Sequence, residues 1–141
     1  MSTDASIEGP VSVRRAAACL WASAALALVL TAAQVVWVVK PGDVGVTIGI
    51  GVGTAGLLAL FAAKISAGRG WARWTYTFIY TFGTLASVVL LLVIPGALRA
   101  YPALLLVGTL AQFVLQTTAV VLIFTNASRS WFKAARVTPA P

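Results

Sequence analysis

Residues 51 to 56 read Gly51-Val52-Gly53-Thr54-Ala55-Gly56, the spacing of a loop that brings backbone N–H groups up to a pyrophosphate. The chemistry such a loop serves is dinucleotide binding. Its glycines allow a tight turn and close approach, the helix that follows offers its N-terminus, and an acid about 20 residues further on holds the ribose. Here the segment lies inside an unbroken apolar run. The position where the acid belongs falls in Arg73-Trp74-Thr75-Tyr76, which contains none. The match is one of spacing alone.

The remaining stock of reactive side chains is short. The chain has no His, one cysteine (Cys19) and three acids, Asp4, Glu8 and Asp43, all outside its apolar runs. A lone cysteine makes no internal disulfide. Without His, paired Cys or clustered carboxylates there is no set of ligands for zinc or another transition metal, and no nucleophile stands beside a base. The expectation is therefore a protein that is not an enzyme, with no catalytic, cofactor-binding or metal residues. Small multidrug exporters are similar in size and layout, but their coupling carboxylate in the first span has no counterpart here. The glycine-rich helix of a rotary ATP synthase ring carries a carboxylate that this chain also lacks. Disulfide-generating membrane enzymes need cysteine pairs, and membrane b-type cytochromes need His ligands.

What is left is polar but uncharged. Thr81 and Thr84 share a face with Thr77 and Tyr80, and Gln112 and Gln116 share one with Thr109. At about 1.5 Å per helical residue, Gln116 comes level with Thr81 and Gln112 with Thr84. The two faces are expected to meet, either sealing one another as interhelical hydrogen bonds or lining a hydrated path for a solute.

The elements that must position these residues are set by composition. The 141 residues are 60% hydrophobic and 9% charged, with a mean hydropathy of +0.98, far from the soluble range. Four runs without charge, about 16–39, 44–63, 74–94 and 103–124, each suffice to cross a hydrocarbon core of about 30 Å as a helix. No alternating strand pattern appears. Lys40-Pro41-Gly42-Asp43 is a turn signal, Pro95-Gly96 ends the third run and Pro102 opens the fourth. The fold class expected is all-α, a bundle of four transmembrane helices in two helical hairpins. It occupies residues 14–126, between a disordered tail at 1–13 and an interfacial, then disordered, segment at 127–141. The first run is too long for a cleaved signal and reads as a retained anchor.

Charge sets the orientation. If both termini lie on one side, that side collects eight of the ten Lys and Arg and leaves only Lys40 and Arg99 opposite. The positive-inside rule then places both termini in the cytoplasm of a multi-pass protein of the cell inner membrane. Nucleic acid is not an expected partner, because the basic residues interrupt apolar runs and form no polar face. The partners expected are the bilayer, anionic lipid at the cytoplasmic face, and a second copy or another membrane protein.

In the second run Gly45, Gly49, Gly53 and Gly56 fall within a sector of about 80° at helical spacing. Small residues so arranged let helices approach closely in lipid, where apolar side chains gain nothing from leaving their surroundings. This stripe is expected to pack against another span of the chain or to form a seam between copies, with Gly51 on the opposite face. The interfacial anchors are Arg69, Trp71, Arg73 and Trp74 between the hairpins and Trp131, Phe132 and Lys133 after the last run. Within them, Gly70-Trp71-Ala72-Arg73 and Thr125-Asn126-Ala127-Ser128 leading to Trp131-Phe132 resemble small bacterial four-span inner-membrane proteins of unassigned function. That resemblance implies a span layout and no activity. The functional expectation is a noncatalytic integral membrane protein acting through helix contacts, as an oligomer or accessory subunit. The alternative is a passive conduit or transporter for a small neutral or anionic solute.

Overall fold

The computed structural model describes residues 9–93 and 102–137. Residues 1–8 of the tail expected at 1–13, residues 138–141 of the segment expected at 127–141, the end of the third run at Ile94, and the connection carrying Pro95 and Arg99 lie outside the described residues. In chain order the helices are α1 (Val11–Trp37), a single 3-10 turn (Pro41–Asp43), α2 (Val44–Ser66), α3 (Gly70–Val93), α4 (Ala103–Ile123) and α5 (Asn126–Val137). All regular structure among the described residues is helical. Three of these helices, α1, α2 with its preceding turn, and α4, are long and apolar enough to cross a membrane.

The punctuation is local chemistry. Pro10 stands before α1 and Pro102 before α4, and each carbonyl accepts from the N–H groups three and four residues on, while neither ring leaves a helical donor unused. Gly68 ends α2 at φ 74°, the left-handed region where a side chain is strained. Its N–H donates to the Ile65 carbonyl, and the Arg69 N–H reaches back to Lys64. This paired closure is a Schellman motif, and it reverses the chain into α3 within three residues. α1 starts at Val11, inside the segment expected to be a tail, and the interfacial segment folds as α5.

The core is made by α1, α2 and α4. Val13, Ala16, Leu20, Ser23 and Ala27 of α1 recur at intervals of three and four and are buried, as are Gly51, Ala55, Leu58, Ala62 and Ile65 of α2. Seams of this period are those that suit a left-handed crossing, and α1 and α2 pack on each other. Small side chains let the backbones close: a Cβ on Gly51 would collide with the Thr31 side chain, and one on Gly108 with Leu30. α4 therefore packs on α1, extensively, rather than chiefly on its sequence neighbour α3. α3 is held by its first two turns, where Ala72 and Tyr76 are buried; from Phe78 onward its side chains are largely exposed.

Candidate functional site

Two regions gather the polar and aromatic residues. The first is the end of the bundle where α1 begins, α2 turns into α3, and α4 passes into α5. Ser128 is fully buried there. Its hydroxyl donates to the Leu122 carbonyl at 2.8 Å and lies 2.8 Å from Ser12 Oγ and 2.9 Å from Thr125 Oγ1, so one side chain ties the start of α1 to the junction of α4 and α5. Beside it Phe132 is 1% exposed. The Arg73 guanidinium stands 5.0 Å from its ring centroid and 5.7 Å from those of Trp74 and Phe124, within cation–π range. Trp131 lies edge-on to Phe132, and the indole would meet a Cβ on Gly9 at 3.2 Å. The expected anchors thus divide by role. Arg69, Trp71, Trp74 and Lys133 face outward, whereas Phe132 is part of the packing, and Arg73 and Trp131 are half-buried against it.

All the described basic residues except Lys40 sit on elements toward this end: Arg14 and Arg15 on α1, Lys64 on α2, Arg69 and Arg73 at the turn, and Arg129, Lys133 and Arg136 on α5. The end is therefore strongly positive and rimmed by aromatic rings.

The second region is a cleft of about 630 Å³ between α2, α3 and α4. Tyr76, Tyr80 and Thr84 of α3 and Thr109, Gln112 and Gln116 of α4 contribute its polar lining. Phe61 and Phe113 form apolar walls, with ring contacts of 5.6 Å from Phe61 to Tyr76 and 6.1 Å from Tyr80 to Phe113. The Tyr80 hydroxyl lies 2.6 Å from Thr117 Oγ1 and is the one side-chain hydrogen bond between α3 and α4 among the described residues. Gln116 donates through Nε2 to Ser23 Oγ of α1 at 3.2 Å. Tyr76 is 2% exposed, yet its hydroxyl has no hydrogen-bond partner among the described residues, and neither does the buried Oε1 of Gln112.

The sequence-level pairing is thus only partly realised. Gln112, Gln116 and Thr84 do line one space. Thr81 does not: it is exposed on another face of α3 and returns its hydroxyl to the Thr77 carbonyl. Sequence reasoning missed Ser23 as the partner of Gln116, although a serine buried in the middle of an apolar run was the available signal. It also missed Tyr76. The glycine stripe is turned outward, since nothing lies within 4 Å of a Cβ placed on Gly45, Gly49, Gly53 or Gly56. The close approach within the chain occurs on the other face, at Gly51. No group of His, Cys, Asp and Glu among the described residues is arranged to hold a metal ion, and Cys19 is a half-buried free thiol.

Compared with known proteins, the chain matches no family model, no curated protein and no solved structure.

Proposed function

We propose that this is a noncatalytic integral membrane protein of four spans, with α3 as the fourth, which acts through helix contacts as an oligomer or accessory subunit of the cell inner membrane. The observation that carries it is the outward glycine stripe of α2. Four glycines leave a strip of bare backbone on a helix whose inner seam is already occupied by α1, and close backbone approach is what associates helices in lipid. The resemblance to small bacterial four-span proteins accords with this reading, as does α3, whose 24 residues give about 36 Å of helix. The positive end faces the cytoplasm, where Arg69, Lys133, Trp71 and Trp74 meet anionic headgroups at about 1 kcal/mol per cation.

The test is the oligomeric state of the full chain in nanodiscs, alone and after Gly49→Ile or Gly53→Ile. Loss of the larger species at unchanged monomer stability supports the reading; a monomeric wild type with no co-purifying membrane partner removes it. Orientation is tested by a membrane-impermeant maleimide on intact cells, with labelling expected at Gly42→Cys and not at Ala134→Cys.

The conduit reading has the cleft in its favour but not its length. From Tyr76 to Ser87 the polar lining of α3 covers about 16 Å, and from Thr109 to Gln116 that of α4 covers about 11 Å, against a hydrocarbon core of about 30 Å. The cleft suits holding a molecule better than passing one.

A further inference from the structure

On the side of α3 away from Tyr76 and Tyr80 runs a groove of about 530 Å³, lined by Trp74, Thr75, Thr77, Phe78, Thr81 and Phe82. We propose that it seats one acyl chain of a phospholipid with a net negative headgroup, of the phosphatidylglycerol kind, whose phosphate is held by the cations at the groove's head. This rests on the reading that the positive end meets anionic headgroups, and it narrows that contact to one site.

The walls are aromatic. Trp74, Phe78 and Phe82 recur about one turn apart, and each is more than half exposed. The rings of Phe78 and Phe82 lie 4.5 Å apart. The floor asks nothing polar of its occupant, because Thr77 donates to the Arg73 carbonyl and Thr81 to that of Thr77, the usual settlement of threonine in a helix. Helices approach one another closely in lipid through small residues. Three rings projecting at successive turns hold another helix off, whereas a flexible chain lies between them. From Trp74 to Leu85, also exposed, this face covers about 16 Å, the depth of one leaflet in a core of about 30 Å.

The head of the groove sets this face apart from other lipid-facing surfaces. Trp74 stands edge-on to Phe124, 5.1 Å away, just before α5 begins. The Arg73 guanidinium, 5.7 Å from the Trp74 ring and 5.0 Å from that of Phe132, joins the first turn of α3 to the middle of α5. Three cations around this junction are exposed: Arg69, one residue before α3, and Arg129 and Lys133, one turn apart on α5. The one acid among the described residues, Asp43, precedes α2 at the far end of the bundle. Cations at the interface attract anionic lipid, and a Trp ring is at home at headgroup level.

The experiment uses the full chain in phosphatidylcholine nanodiscs doped with a phosphatidylglycerol that carries a diazirine in its acyl chain. Adducts are mapped by mass spectrometry, with a phosphatidylcholine bearing the same diazirine chain as reference. Labelling by the anionic probe is expected to concentrate on residues 74–85, with no such concentration on residues 45–56 of α2, and to be displaced by unlabelled phosphatidylglycerol but not by phosphatidylcholine. The reference probe should spread over all the lipid-facing helices. Arg69→Gln and Lys133→Gln should each lower the anionic labelling about fivefold, while Lys40→Gln at the far end should leave it unchanged. Thr81→Leu fills the floor between the rings and should move the adducts off residues 74–85. Equal patterns from the two probes, or anionic labelling indifferent to both Arg69→Gln and Lys133→Gln, would overturn the proposal. Anionic adducts gathered evenly around the whole positive end would overturn the site while leaving the broader headgroup contact standing. Both leaflets of a nanodisc carry the same lipids, so the result is independent of which end faces the cytoplasm.

Discussion

Ser128 and Tyr76 are both hydroxyl residues shut away from their surroundings, and the chain treats them in opposite ways. Ser128 makes three hydrogen bonds that join α1, α4 and α5. Tyr76, two turns along α3 from its start, makes none among the described residues. Around Ser128 the packing is closed, with Phe132 buried under the Arg73 guanidinium. Around Tyr76 it opens into the cleft. A buried polar group that is fully paired fixes a structure, and one left unpaired costs stability. The terminal end therefore reads as the clamp of the molecule and the middle of α3 as its loosely held part.

The contrast can be broken most severely at the clamp. Phe132→Ala removes a ring with nowhere for its neighbours to collapse, and it should cost about 3 kcal/mol of unfolding free energy, measured by unfolding in mixed micelles. The exposed Trp71→Ala should cost under about 0.5 kcal/mol. Equal losses would dissolve the distinction between a packed end and an anchoring rim.

The next effect separates the two faces of α2. Gly51→Ala drives a methyl group into Thr31 and should destabilise by about 1–3 kcal/mol. Gly53→Ala, which meets nothing, should stay within about 0.5 kcal/mol in the same assay. This ordering reverses the one the glycine spacing alone suggests, and a more damaging Gly53→Ala would restore it.

Smaller again, Ser128→Ala strands the hydroxyl of Ser12, while Thr125 keeps its bond to the Leu122 carbonyl, and should cost about 1 kcal/mol. The smallest effect sharpens the account of the cleft. Tyr80→Phe removes the hydrogen bond to Thr117 and should cost about 0.6 kcal/mol, the average for interhelical polar contacts in membranes.

The ends of the helices were legible in the sequence, and their faces were not. Run length gives a span, Lys40-Pro41-Gly42-Asp43 gives a turn, and the basic residues sort to one end, because water, lipid and charge act on each of these directly. Which side of α2 turns inward is a different matter. α2 is apolar all round, lipid is as apolar as a neighbouring helix, and no polarity labels the buried face. Glycine spacing supplied one stripe, Gly45 to Gly56, and it is the outer one. The inner seam is settled by α1, where the Thr31 side chain lies against Gly51 and the small Ala24 and Ala27 are buried, as is Ala55 of α2. Adjacency was likewise read from a connection, and a connection joins ends without fixing faces. Gln116 turned to Ser23 because α4 lies on α1, while Thr81 found its own helix carbonyl, a satisfaction always open to threonine in a helix.

The central claim is that α3 is clamped at its first turns and departs from the bundle further along, where few contacts hold it. Spin-label distances in nanodiscs test it on a Cys19→Ser background. One pair sits across the clamp, Arg69→Cys with Arg129→Cys, and one across the cleft, Leu85→Cys with Val114→Cys. The expected result is a narrow distance distribution for the clamp pair and a broad one for the cleft pair. Equal widths, or a broad clamp beside a narrow cleft, would contradict it.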